Sequence, residues 1–139
     1  MTTESNLIEI IKELAKDIFR TLGSGHSENV YQKAMEVGLR QSSVRFDAQK
    51  VIELTYKNHY IGEEYLDLLV EANSMRVIVE LKAVAQKLGA AEDRQLQNYM
   101  QTLRVDHGVL INFPQPGTKS RDPLEPEIKT FPPEVHPSQ

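Results

Sequence analysis

The stretch from Tyr65 to Lys82, YLDLLVEANSMRVIVELK, constrains this chain more than any other part of it. It reads as two β-strands joined at Ala72–Asn73–Ser74, with Leu66, Leu68, Leu69 and Val70 in the first and Val77, Ile78, Val79 and Leu81 in the second. Runs this apolar suit strands covered on both faces. Asp67, Glu80 and Lys82 interrupt them, and a charged side chain is costly to bury without a partner. Glu80 and Lys82 are two apart, so on a strand they point to one face. An Asp on the neighbouring strand brings a second carboxylate to the same place. Two adjacent carboxylates call for a cation, and hard oxygen ligands select Mg²⁺ or Mn²⁺. That is the arrangement of a metal-dependent hydrolytic site. A hairpin carrying a structural ion pair explains the same E-x-K triplet, because most charge pairs are structural. Both readings stand at this point.

Around this hairpin the chain alternates cleanly. Residues 5 to 22 form a first helix on Leu7, Ile11, Leu14, Ile18 and Leu22, with Ser5 or Asn6 as N-cap and Gly23–Ser24–Gly25 as its end. A second helix runs from about Ser27 to Gln41, with Val30, Ala34 and Val37 as its apolar stripe and Met35 and Leu39 beside it. Gly25, Glu28 and Tyr31 are spaced at three where it opens, so Glu28 and Tyr31 share a face. A Glu in a first turn also simply favours the helix dipole. Val44 to Tyr56 is strand-like and turns at Lys57–Asn58–His59 into the strand that carries Asp67. A third helix, from about Ala91 to Leu103, puts Gln95 and Tyr99 on one face, and GVLINF (108–113) is a short, central-looking strand. All seven prolines lie from Pro114 onward, so residues 114–139 are expected as a tail, partly wrapped on the domain or disordered. Lys119 and Arg121 within it are candidate phosphate contacts, or residues of a solvated loop. Helix, helix, three strands, helix, strand makes an α/β fold with a mixed sheet and helices on both faces.

Composition narrows the function classes. At 139 residues the chain is long enough for one domain with a real core. It has no cysteine, which excludes disulfides, thiolate catalysis and Cys-based zinc sites. The net charge of −4 argues against a plain nucleic-acid coat but is compatible with clustered active-site acids. No apolar run approaches the ~20 residues of a membrane span, and the N-terminus does not look like a secretion signal. The expectation is a cytoplasmic protein with no membrane partner. The four histidines show no zinc-ligand spacing, and there is no P-loop.

With order and polar residues placed, a resemblance emerges. The αβββαβ core with Asp67 followed by Glu80-x-Lys82 resembles the PD-(D/E)XK nuclease superfamily. Gly25-x-x-Glu28-x-x-Tyr31 resembles the signature of the small GxxExxY proteins within it, and Gln95-x-x-x-Tyr99 the Q-x-x-x-Y motif of the RecB-like and λ-exonuclease-like branch. The likeness covers roughly residues 7 to 121, with four motifs in the right order on the right elements. Leu66 stands where the superfamily has its nominal Pro, and Ser24 where this family often has another small residue or a proline.

The resemblance implies a restriction-endonuclease-like core over residues 1–113, an extra N-terminal helix and a DNA substrate. In such a protein Asp67 and Glu80 chelate Mg²⁺ or Mn²⁺, with the backbone carbonyl of Leu81 as a further ligand and Glu28 as another, directly or through water. Lys82 orients or helps deprotonate the attacking water, and Gln95 anchors the lysine or the water. Gly25, Tyr31 and Tyr99 fall to the substrate side, although both tyrosines equally suit packing with a hydrogen-bonded hydroxyl. Ring-like homo-oligomers occur in the exonuclease branch. One rival is a non-catalytic nuclease-fold scaffold; another is an ordinary domain in which these polar residues do not converge.

Overall fold

The computed structural model describes residues 3–117 and 125–133. Helices α1 (Thr3–Leu22) and α2 (Glu28–Gln41) precede strands β1 (Arg45–Tyr56), β2 (His59–Ala72) and β3 (Met75–Lys82). Helix α3 (Ala90–Leu103) then leads to β4 (His107–Asn112) and β5 (Glu127–Phe131). The five strands form one sheet in the order β1-β2-β3-β4-β5. Only β3 and β4 run parallel, joined by the α3 crossover; the other pairs are antiparallel. This is the expected α/β architecture.

Two tight turns set the meander. Lys57 and Asn58, then Asn73 and Ser74, hold consecutive left-handed conformations (φ 49° and 67°, 50° and 70°). Consecutive positive φ values give the turn whose twist matches that of antiparallel strands. The sheet is covered on both sides. Leu68, Val70, Val77, Val79, Leu81, Val109 and Ile111 pack with Leu7, Ile11, Met35 and Leu39 from α1 and α2. Leu66, Leu69, Ile78 and Leu110 pack with Leu96 and Tyr99 of α3.

Three details differ from the sequence expectation. Helix α1 begins at Thr3, so Ser5 and Asn6 lie inside it rather than capping it. Helix α2 buries Tyr31, Gln32, Met35, Glu36, Gly38 and Leu39, while Val30 and Val37 of the expected stripe are exposed. The cause is tertiary: Gly38, without a side chain, lets Leu14 of α1 seat against the helix backbone, and this contact fixes which side faces inward. Third, the proline-rich segment supplies a strand. The window EIKTF contains no proline, being flanked by Pro126 and Pro132, and it pairs with β4 from Gly108↔Phe131 to Asn112↔Glu127. Lys119 and Arg121 lie outside the described residues. No helix among the described residues is long and apolar enough to cross a membrane.

Candidate active site

The site forms where β2 and β3 part. Their ladder runs from Ala72↔Met75 to Leu68↔Val79. Beyond it, two acidic side chains replace backbone partners. Glu80 Oε1 accepts the Asp67 backbone N–H at 3.0 Å, and Asp67 Oδ2 accepts the Leu81 N–H at 2.7 Å. A buried N–H must find an acceptor, and here each strand's orphan donor is satisfied by a carboxylate of the other. The acids are thereby drawn under the surface, with Asp67 9% and Glu80 5% exposed. The two carboxyls also act on each other electrostatically.

Burial dominates their electrostatics. Desolvation raises the Asp67 carboxyl above its ordinary range, against the opposing effect of its hydrogen bonds and of Lys82. Glu80 is pushed up to about 8, first by desolvation and then by the Asp67 charge, with Lys82 pulling the other way. Two carboxylates this close resist ionising together. Glu28, at the first turn of α2, is raised by partial desolvation and by Asp67, and lowered by Lys82. The acid from the helix and the three polar residues of the hairpin thus share one electrostatic field.

Helix α3 closes the other side. Tyr99 is nearly buried; desolvation, the largest cause, raises its hydroxyl, with the Glu64 and Glu80 charges adding to the shift. Gln95, four residues earlier on α3, lies on the Tyr99 side of the helix and is exposed. Of the opening motif of α2, Tyr31 is built inward instead. The Tyr31 ring stacks on Phe113 (centroids 4.3 Å, 5° between planes), and its hydroxyl donates to the Gly23 carbonyl at 2.7 Å and accepts from Gln115 at 3.2 Å. Tyr31 is fully enclosed. Gly25 holds a left-handed φ of 101° and donates its N–H to Gln115 Oε1 at 2.9 Å. Asp67, Glu80, Lys82 and Glu28 thus share one field, which Tyr99 feels from α3 through Glu80; Tyr31 is packed into the scaffold beside it, and Gly25 sits exposed in the turn before α2.

Several residues escaped the sequence reading. Gln49 of β1 and Gln32 of α2 contact Asp67. Asn112 clamps the chain leaving β3, accepting the Val84 N–H at 2.9 Å and donating to the Val84 carbonyl at 3.2 Å. Of these only Asn112 left a signal, as a lone amide in the apolar run GVLINF. The donor set suits a hard divalent cation: two crossed carboxylates that repel when ionised, a third on the neighbouring helix end, and oxygen donors throughout. No three His, Cys, Asp or Glu side chains among the described residues close into a preformed cluster.

A model of the PD-(D/E)XK nuclease superfamily matches residues 5–122. Among solved structures, the crystal structure of SSO0001 is similar in fold, with a TM-score of 0.53 at 13% identity over 73% of this chain. The chain spans about half of that protein, covering 48% of it. No curated protein matches.

Proposed function

The chain belongs to the PD-(D/E)XK nuclease superfamily, and on that premise we propose that it is a divalent-metal-dependent nuclease that hydrolyses DNA phosphodiester bonds, of the RecB-like type and the GxxExxY group. The observation that carries the proposal is the crossed pair, Asp67 on the Leu81 N–H and Glu80 on the Asp67 N–H. A structural ion pair needs no second buried acid. Two buried acids that feel each other's charge, one pushed up to about 8, are costly to ionise together unless a cation offsets them.

Asp67, Glu80, the Leu81 carbonyl and Glu28 would hold Mg²⁺ or Mn²⁺. A bound divalent ion supplies Lewis-acid chemistry at the phosphate. The chain's own groups do the rest. Lys82, two residues from Glu80 on the same face, places an ammonium beside the attacking water and steadies charge developing on the phosphoryl oxygens. Gln95 orients the lysine or that water. Tyr99, its hydroxyl held protonated by burial and by Glu64, serves as a hydrogen-bond donor at the rim.

The test is cleavage of linear and circular, single- and double-stranded DNA by the purified protein in Mg²⁺, Mn²⁺ or chelator. Metal-dependent product is expected, and Asp67→Ala, Glu80→Ala and Lys82→Ala should each lose most of it while remaining folded. Cleavage that survives in all three variants would sink the assignment. Metal binding without cleavage of any nucleic acid would favour a nuclease-fold scaffold.

A further inference from the structure

We propose that Gln49, carried by Gln32, is the positioning residue that aims the Asp67 carboxylate at the metal. The inference rests on the metal-site reading above. Gln32 Nε2 donates to Glu36 Oε2 and to the Asp67 carbonyl, each at 3.3 Å. Both partners only accept, so the amide of Gln32 must turn its nitrogen to them and its oxygen away. That oxygen takes a hydrogen bond from Gln49 Nε2 at 2.7 Å. The amide of Gln49 is fixed in turn, and it presents an N–H to Asp67 Oδ1 at 3.4 Å. A carboxylate on α2 thus dictates, through two amides, that a donor reaches the free oxygen of Asp67. The other oxygen is already held by Leu81.

The backbone is bent to deliver this contact. Gln49 has φ 52° in the middle of β1, a conformation that non-glycine residues rarely adopt and that clusters at functional sites. Opposite it, the alternation of β2 breaks at Asp67. Leu66 packs with the α3-side cluster and Leu68 with the α1/α2-side cluster, although residues two apart on a regular strand share a face. The kink turns Asp67 out of the ladder toward Glu80. Gln32, only 3% exposed, is an amide that packing alone would not place there.

The experiment is Mn²⁺ titration calorimetry without DNA, paired with melting of the metal-free protein. Wild type is compared with Gln49→Gly, Gln49→Met and Asp67→Ala. Glycine adopts the left-handed backbone freely, and methionine keeps the length without the amide. Loss of an outer hydrogen bond to a metal ligand typically weakens metal binding about 10–100-fold. We expect that loss in both Gln49 variants, with the metal-free melting temperature of Gln49→Gly equal to or above wild type. Unchanged Mn²⁺ affinity with a lowered melting temperature would make Gln49 merely structural and overturn the inference. If wild type binds no Mn²⁺, or Asp67→Ala binds it equally well, the metal site itself falls and the inference with it.

Discussion

Asp67 and Glu80 were visible because their signal is local: an acid in an apolar strand, and a Glu two residues before a Lys. Their environment yields a pH prediction. The folded protein holds a proton on Glu80 up to about pH 8, whereas the unfolded chain releases it near the ordinary Glu value. Between those values the native state binds more protons than the unfolded state, so stability falls as pH rises. The stabilising contribution is complete below the unfolded value and lost through about pH 8. Each tenfold difference in proton affinity between the folded and unfolded chain corresponds to about 1.4 kcal/mol. Metal-free melting temperature should therefore drop by several degrees between pH 5 and 8, and Glu80→Gln should flatten the profile. Mn²⁺ competes with that proton, so it should stabilise more at pH 8 than at pH 5. A ligand at 100 times its dissociation constant adds about 2.7 kcal/mol. A scanning calorimetry series in buffers with and without Mn²⁺ checks all three; a flat metal-free profile would refute the buried-acid account. Gln49 and Gln32 were illegible for the opposite reason. Their role depends on one left-handed backbone angle and on a contact between a helix and a strand, neither of which a local pattern encodes.

At the scale of elements, the position of α3 matters most, because it sets Tyr99 within reach of the Glu80 charge on the sheet. Gly108 of β4 lies under it. A Cβ there would come within 2.7 Å of Met100 Sδ and 3.1 Å of both Leu96 methyls. Met100 can move, but Leu96 is fully buried, so Gly108→Ala must lift the helix slightly. Overpacking of this kind typically costs about 1–3 kcal/mol. The expected result is a severalfold slower cleavage with Mn²⁺ affinity unchanged, since Asp67 and Glu80 are not carried by α3. Met100→Ala in the same chain should restore part of the stability. Equal loss of metal binding would instead mean that the helix supports the acids. The three-stranded meander and its two turns were readable from apolar runs and turn residues. The face of α2 was not: Val30 and Val37 fit a helical stripe equally well, and the choice fell to the Gly38–Leu14 contact between two helices.

For the molecule as a whole, β5 decides whether β4 lies inside the sheet or at its edge. Without it β4 becomes an edge strand of sequence HGVLIN, buried along almost its entire length. An exposed apolar edge is a template for pairing with another chain. Strand β5 also fastens the loop that enters α3. Glu127 Oε1 accepts the Leu88 N–H at 3.1 Å, while Lys129 Nζ donates to the Leu88 carbonyl at 3.2 Å and pairs with Asp93 at 3.1 Å. The proline bias of the segment concealed this strand, because five proline-free residues between Pro126 and Pro132 are too short to stand out. The two contributions separate by experiment. Lys129→Met removes the ion pair, whose partners are each about one-third exposed (32% and 30%), and exposed pairs are typically worth about 0–1 kcal/mol. That variant should stay monodisperse and melt within a few degrees of wild type. A chain ended at Pro126 loses the edge cover itself, and it should aggregate or elute as larger species in size-exclusion chromatography. If the shortened chain remains folded and no larger than wild type, β4 tolerates exposure and β5 is dispensable to the sheet. If Lys129→Met alone reproduces the aggregation, the tether to α3, rather than the strand, holds this edge together.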